Sequence, residues 1–149
     1  MEKFEVLQRS PLFAMLSPSE VELAAEMSRP RRFASGEVVF EEGDLGDSLF
    51  VIGSGDVEVL RKNDAGELWP LQKLSPPEFF GEMSLIDKEY RSATVRAKTD
   101  CVLLQLTAEN LAAFRKHHRD GFTFIVMNIA RVLSARLREA NARLSKSRL

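Results

Sequence analysis

The sequence has little of the chemistry used by disulfide-bonded, metal-binding or membrane-spanning proteins. Its 149 residues include one cysteine, Cys101, and two histidines. A single cysteine excludes an internal disulfide framework, and the adjacent His117 and His118 cannot share a helix face, so we expect no metal site. No apolar run approaches the length of a bilayer-spanning helix, and residues 1–5 lack the apolar core of a signal peptide. We therefore expect a cytoplasmic protein.

The charge and composition also exclude several classes of function. The formal net charge is −1, which gives no whole-chain argument for binding nucleic acid or a membrane surface. The sequence shows no Cys–His or Ser–His pairing with a third orienting group, so we do not expect an enzyme. A chain of this length suits one domain, residues 1–149, with a core of its own.

The hydrophobic periodicity divides that domain into three parts. Residues 1–30 favour helices, with a start signal at Ser17-Pro18. Residues 31–107 alternate in short strands separated by glycine turns, which is typical of a small barrel, roll or sandwich. Residues 108–149 return to the helical period. The predicted strands lie at 38–40, 49–51, 57–59 and 102–106.

The C-terminal part predicts two helices. The first is capped by Thr107, and we expect Asp120-Gly121 to end it. The second is long and carries one apolar stripe, which could be core or the seam of a parallel dimer. That stripe comprises Phe122, Val126, Ile129, Leu133, Leu137, Ala140 and Leu144. The opposite face is basic, as solvated helix faces commonly are, and nucleic-acid contact is a minor alternative.

The stretch 79–85, continued by 91–95, carries the chemistry of an anion site. Gly81 permits close approach of the backbone to a ligand, and a helical turn from residue 82 would offer free N–H groups. Arg91 supplies a planar cationic fork that matches phosphate oxygens, and Ser92 adds a hydroxyl. Glu82 would repel a phosphate, so it should face a hydrogen-bond donor such as a ribose hydroxyl.

These residues resemble the phosphate-binding cassette of the cyclic nucleotide-binding domain family, which includes catabolite activator proteins and the regulatory subunits of cyclic-AMP-dependent kinase. The two matching segments read Phe80-Gly81-Glu82-Met83-Ser84-Leu85 and Arg91-Ser92-Ala93-Thr94-Val95. The family's preceding strands are matched by Gly36-Glu37, Gly43-Asp44 with Asp47, and Gly55 with Val57. The resemblance runs from about the first helix to about residue 107. One departure is Ser75-Pro76-Pro77-Glu78, which puts the approach of the loop before the cassette in doubt.

The resemblance implies an α+β fold, in which a β-roll is flanked by N-terminal helices and a C-terminal helical pair. It implies a 3′,5′-cyclic purine nucleotide as ligand, cyclic AMP favoured over cyclic GMP, and no metal. Arg91 and Ser92 would hold the phosphate, helped by amides of the cassette, and Glu82 would hold the ribose 2′-OH. Met83 would form an apolar wall for the base. The helping amides are those of Ser84, Leu85 and Ala93.

The resemblance also implies a regulatory role for the last helix. In the family this helix, or one from a dimer partner, closes over the purine, so we expect Arg138, Glu139 or Asn141 to contact the base. The binding signal would pass through that helix to a second copy or to an unidentified protein partner. We expect no DNA-binding module, since the chain stops with this helix. The alternative is an interaction scaffold with a vestigial cassette.

Overall fold

The structure, a computed structural model, describes residues 2–87 and 90–147 and has the predicted α+β architecture. The helices are α1 (Lys3–Arg9), a 3₁₀ turn (Pro11–Phe13), α2 (Pro18–Met27), α3 (Met83–Asp87), α4 (Ala108–His117) and α5 (Arg119–Ser147). The strands are β1 (Arg29–Phe33), β2 (Val38–Phe40), β3 (Ser48–Ser54), β4 (Val57–Lys62), β5 (Leu68–Leu74), β6 (Phe79–Phe80), β7 (Thr94–Ala97) and β8 (Cys101–Thr107).

The strands form two antiparallel sheets that close into a β-roll. One sheet has the order β1-β8-β3-β6 and the other the order β2-β7-β4-β5. Strand β3 lies inside the first sheet and is buried on both faces, with Leu49 and Val51 toward the helices and Phe50 and Ile52 inside the roll. A strand covered on both sides reads as a continuous apolar run instead of an alternating one, which explains the sequence Leu-Phe-Val-Ile.

The helices cover the outer face of the first sheet and share one core with it. The N-terminal helices, α4 and the first half of α5 all contribute to this core. Two predicted caps are confirmed. The Ser17 side chain accepts from Glu20 N in a complete capping box, and the Thr107 side chain accepts from Asn110 N in another.

The predicted end of the first C-terminal helix is wrong. Helix α4 ends at His117, and α5 begins at Arg119, so Asp120 and Gly121 lie in the first turn of α5. An acidic residue suits that turn because it complements the helix dipole. Gly121 has a packing reason, since a Cβ built there would lie 2.3 Å from Glu20 Oε2. It allows α5 to approach α2.

Because of two prolines, the sequence prediction did not include strands β1 and β5. Pro30 lies in β1 and Pro70 in β5, and each strand is at the edge of its sheet. Edge strands tolerate proline because one side of the strand needs no ladder donors. The helical segment consequently ends before residue 30. Trp69 lies on β5 and is exposed.

One buried amide ties α5 to the N-terminal segment. Asn128 is 2% exposed and donates from Nδ2 to the carbonyls of Leu12 at 3.0 Å and Ala14 at 2.8 Å. The next residue, Met15, has a φ of 77°, which is unusual for a residue with a side chain. Asn128 therefore satisfies carbonyls at a turn whose backbone leaves the regular conformations.

Cys101 is buried, and its burial raises the pKa of the thiol. The described part of the chain holds no group of three or more His, Cys, Asp or Glu side chains that could share a metal ion. No helix within residues 2–87 and 90–147 has the length and apolarity to cross a bilayer.

Candidate functional site

A cavity of about 220 Å³ lies between the second sheet, the segment from Gly81 to Ala93 and helix α5. The cassette segments reach it from the end of β6, through α3, and from the residues just before β7. Strands β2, β4, β5 and β7 form a mostly apolar wall. The lining residues are Phe40, Val59, Gln72, Leu74, Phe80, Gly81, Glu82, Met83, Ser84, Arg91, Ser92, Ala93, Val95, Leu133 and Arg136.

Arg91 is the buried cation of this cavity and is 6% exposed. Its Nη1 donates to the Gly81 carbonyl at 2.9 Å and its Nη2 to the Ser48 carbonyl at 2.8 Å. The guanidinium carbon lies 4.0 Å from the centroid of the Phe40 ring, within cation–π range. These contacts fix the plane of the fork.

The Arg91 guanidinium is nevertheless incompletely satisfied. Its buried Nε has no hydrogen-bond partner among the described residues. Burial lowers the pKa of Arg91, and the carboxylates of Asp47, Asp44 and Glu82 partly offset this. An arginine in such surroundings remains charged. It combines a desolvated positive charge with an unused donor, an arrangement that an anionic ligand would stabilise.

Two glycines allow the backbone to approach Arg91. Gly81 has a φ of +86°, and a Cβ there would lie 2.9 Å from Arg91 Nη1. A Cβ at Gly46 would lie 2.3 Å from Ser84 Oγ and 2.9 Å from Arg91 Nε. Sequence reasoning identified Gly81 and missed Gly46, which lies between Leu45 and Asp47 and carries no motif of its own. Any side chain at Gly46 would displace the cassette.

Glu82 is the buried carboxylate of the site, at 4% exposure. Burial raises its pKa, while a backbone hydrogen bond and the positive charges of Arg136 and Arg91 oppose the rise. Arg136 Nη1 donates to Glu82 Oε1 at 3.4 Å, and Nη2 donates to the Phe79 carbonyl at 2.9 Å. Arg136 thus joins helix α5 to the cassette.

The other predicted cassette residues have different surroundings. Ser84 is buried beside Arg91, and Met83 is exposed at 47% on the rim of the cavity. Ser92 is exposed and Ala93 half-buried, and both line the cavity. Leu85 differs, because its amide already donates to the Glu82 carbonyl at 3.0 Å and its side chain packs against the helical core. The structure does not bring Leu85 to the cavity wall.

The loop before the cassette is well formed despite its two prolines. Ser75 N donates to Glu78 Oε2 at 2.9 Å, and Ile52 N donates to the Glu78 carbonyl at 2.9 Å. The second bond continues the pairing of β3 with β6 by one residue. The Ser75–Glu78 departure from the family pattern therefore leaves the entry to the cassette intact.

The residues expected to contact the base lie elsewhere on α5. Arg138 donates to Ser134 Oγ at 2.9 Å on the same helix, and Glu139 accepts from Arg143 at 3.3 Å. Asn141 is exposed. Within the described structure, neither Arg138 nor Asn141 lines the cavity of its own chain.

The helical period explains why Arg138 does not line the cavity whereas Arg136 does. Ile129, Leu133 and Arg136 are spaced by four and three residues, so they share one helix face. Ile129 belongs to the core and the other two line the cavity. Arg138 is five residues beyond Leu133 and points to a different side. This spacing was available in the sequence, since Arg136 continues the apolar stripe by one turn.

These side chains fit an anionic ligand that also presents hydroxyl groups. The buried guanidinium of Arg91 has a donor without an acceptor, and the Glu82 carboxylate lies buried beside it. A phosphate would be held by Arg91 with Ser92 and cassette amides, and a hydroxyl by Glu82. The apolar strand wall would receive a flat, less polar group.

Comparison with known proteins gives relatives along most of the chain. It is 38% identical over 138 residues to the Cyclic AMP receptor protein of Thermus thermophilus, covering 93% of this chain and 62% of that protein. It is 35% identical over 92 residues to the cAMP-dependent protein kinase regulatory subunit of Blastocladiella emersonii, covering 62% of this chain and 23% of that subunit. The chain spans less than two thirds of the length of these relatives.

A solved structure supports the same grouping. The crystal structure of a cyclic nucleotide-binding domain from Methylobacillus flagellatus matches with a TM-score of 0.87 and 25% identity, covering 99% of this chain and 83% of that one. The sequence profile described as "Cyclic nucleotide-binding domain" matches residues 30–118, which include β1 to α4 and the whole cassette. The chain belongs to the cyclic nucleotide-binding domain family.

Proposed function

We propose that the domain binds a 3′,5′-cyclic purine nucleotide, with cyclic AMP favoured over cyclic GMP, and acts as a regulatory module without turnover. The observation that carries this proposal is the buried Arg91 guanidinium with a donor that lacks an acceptor, placed beside the buried Glu82 carboxylate. A cyclic phosphate fused to a ribose supplies an anion and a 2′-hydroxyl in one rigid ligand. Family membership and the names of the two regulators reported above support the same ligand class.

In this proposal the phosphate is held by Arg91, Ser92 and the amides of Ser84 and Ala93. The ribose hydroxyl is held by Glu82, and Met83 covers the rim of the cavity. Hydrogen bonds to charged groups contribute about 1.5–3 kcal/mol each, so the charged pair would dominate the affinity. The second candidate, a scaffold with a vestigial cassette, is favoured by one observation, namely that Arg136 already engages Glu82.

Isothermal titration with cyclic AMP and cyclic GMP separates the two candidates. We expect binding heat with the parent domain and much weaker binding with Arg91→Ala, which removes the charge but keeps the loop. A parent domain that binds neither nucleotide would favour the scaffold. The scaffold would also predict that hydrogen exchange of α5 is unchanged by either nucleotide.

We propose that the signal passes to α5 through Arg136. A ligand hydroxyl on Glu82 competes with the 3.4 Å contact from Arg136 Nη1, so the ligand has differential contacts with two states of the helix, as coupling requires. Hydrogen exchange in the second half of α5 should change with cyclic AMP in the parent domain. In Arg136→Met it should not change, although the nucleotide still binds.

We also propose a homodimer through α5, with an unidentified protein as the alternative partner. Ile129 and Leu133 use their part of the apolar stripe within the chain, whereas Val126 is 46% and Leu137 63% exposed. Apolar side chains spaced by three and four residues favour a two-helix seam. Sedimentation of the parent should give a dimer, and Leu137→Glu should give a monomer. A monomeric parent would refute this part.

We propose a cytoplasmic location, as the sequence predicts. The proposed binding and coupling require no DNA-binding segment, no metal and no membrane contact, since the binding and coupling groups all lie within residues 40–136. Activities of the longer relatives are not assigned to this chain.

A further inference from the structure

The strand wall of the cavity contains one polar side chain. Its other strand residues, Phe40, Val59, Leu74 and Val95, are apolar, and the exception is Gln72 on β5. Gln72 is half-buried and pairs with Val59 across the β4–β5 ladder. Both members of this cross-strand pair line the cavity.

The strand geometry directs Gln72 inward. Leu74 is 2% exposed and lies two residues away, so the two side chains share the inner face of β5. Lys73 between them is exposed. The ladder shifts register between Val59 and Leu60, whose partners are Gln72 and Pro70. Such a bulge is a recurrent way to re-aim a side chain near a functional site.

The side-chain amide of Gln72 has no hydrogen-bond partner within residues 2–87 and 90–147. Gln105, the other half-buried glutamine, shows the contrast. Its Oε1 accepts from Arg31 Nη1 at 2.9 Å and its Nε2 donates to Ser48 Oγ at 2.9 Å. The Gln72 side-chain amide lines the cavity without a protein partner, so both its donor and its acceptor are available to a ligand.

This inference rests on the proposed function. If Arg91 and Glu82 hold the phosphate and ribose, the part of the ligand left for the strand wall is the base. A glutamine amide presents one donor and one acceptor side by side, which complements N7 and the 6-amino group of adenine. Guanine presents two acceptors, N7 and O6, at the same edge. The amide can satisfy only part of that pattern.

We propose that Gln72 reads the purine and selects adenine. Selection then takes place within the β-roll, and residues of α5 beyond Arg136 are not needed for it. The preference is set by the complementarity of one amide with one base edge, while the apolar residues around it accept either purine.

The test compares cyclic AMP, cyclic GMP and 7-deaza-cyclic AMP, which has a C–H in place of N7. The variant Gln72→Met keeps the length of the side chain and removes the amide. We expect the parent to prefer cyclic AMP to cyclic GMP by about tenfold, the lower part of the range for a bidentate amide–adenine pair. We expect 7-deaza-cyclic AMP to bind the parent about fivefold more weakly than cyclic AMP, as for one lost hydrogen bond.

In Gln72→Met both differences should fall to within about twofold, and the cycle of variant and analogue isolates their coupling. Lys73→Met is the matched control on the same strand, and it should keep the parent's ratios because all three ligands carry the same phosphate. Far-ultraviolet circular dichroism establishes that each variant is folded.

Three results would overturn the inference, and they differ from one another. Unchanged ratios in Gln72→Met would show that the base is read elsewhere. An equal weakening of all three nucleotides would show that Gln72 only shapes the wall. A parent that binds none of the three would remove the proposed function itself, and this inference with it.

Discussion

The substitution Glu82→Gln should stabilise the ligand-free domain at neutral pH. Burial raises the pKa of Glu82 even though Arg136 and Arg91 attract its charge, so the surroundings favour the neutral carboxyl over the carboxylate. Glutamine resembles that neutral form in shape and can still accept a hydrogen bond from Arg136. The variant removes the cost of an ionised buried group, about 1.4 kcal/mol for each unit by which the pKa is raised.

The pH dependence follows from the direction of the shift. A raised pKa in the folded state means that folding takes up protons, so this contribution to stability is fully present below the unfolded pKa. It is lost as the pH rises through the folded pKa. The Glu82→Gln variant has no carboxyl to ionise at this position, so it does not lose this contribution to stability. The variant should therefore equal the parent below the unfolded pKa of about 4.3, exceed it as the pH rises through the folded pKa of Glu82, and keep a constant advantage above that pKa.

The same substitution should weaken nucleotide binding. It replaces a charge-assisted acceptor by a neutral one, so cyclic AMP should lose about 1–3 kcal/mol of binding free energy. With 2′-deoxy-cyclic AMP the loss should disappear, because the hydroxyl that Glu82 would hold is absent. An equal loss with both ligands would show that Glu82 does not read the 2′-OH.

Urea unfolding of the nucleotide-free domain, followed between pH 4 and pH 7.5, measures the stability part. Glu22→Gln is the matched control, since Glu22 is exposed on α2. A stability difference that does not vary with pH would refute the assignment of the titration to Glu82. A variant less stable than the parent at pH 7 would show that the attraction of Arg136 outweighs burial.

Three further substitutions test the site and its support. Arg91→Ala should cost roughly 2–5 kcal/mol of cyclic nucleotide binding free energy. Arg91→Lys should recover only part of this loss, because an ammonium cannot bond in a bidentate way. If titration calorimetry gives Arg91→Ala the affinity of the parent, the cassette assignment is wrong. Gly46→Ala should weaken binding at least tenfold through displacement of Ser84 and Arg91, as measured by the same titration, since its Cβ would lie 2.3 Å from Ser84 Oγ. Asn128→Leu should lower the free energy of unfolding by about 1–3 kcal/mol, because it leaves the buried Leu12 carbonyl and the partly buried Ala14 carbonyl without their donor, and urea unfolding within 0.5 kcal/mol of the parent would exclude the tether.

Much of the fold could be predicted from the sequence because its signals are local. The capping boxes at Ser17 and Thr107 and the glycine turns depend on a few adjacent residues, and all are present in the structure. What could not be predicted depends on long-range position. Pro70 argues against a strand until β5 is known to be an edge strand, and Asp120-Gly121 resembles a helix end until α5 is seen packing on α2.

The candidate site divides in the same way. Gly81, Glu82 and Arg91 belong to one contiguous motif, so a resemblance finds them. Arg136 and Gln72 come from α5 and β5, and neither lies in the motif. Gly46 is needed because its own loop, helix α3 with Ser84 and the segment with Arg91 meet at one point. No single segment of the sequence shows this. A sequence motif therefore does not identify the residues that only the tertiary fold brings to the site.

In the proposed function, ligand affinity and signal output depend on the same atoms. Burial disfavours the charge of Arg91 and that of Glu82, and the fold compensates each only in part, through Asp47 and Asp44 for the first and Arg136 for the second. A ligand that supplies an anion and a hydroxyl would act on both groups. Its hydroxyl would compete with Arg136 for Glu82, and the Arg136 bond to the Phe79 carbonyl would then hold α5 without its ionic partner. The contact that strengthens ligand binding would thereby weaken the attachment of the helix, which is the differential interaction that coupling between site and helix requires.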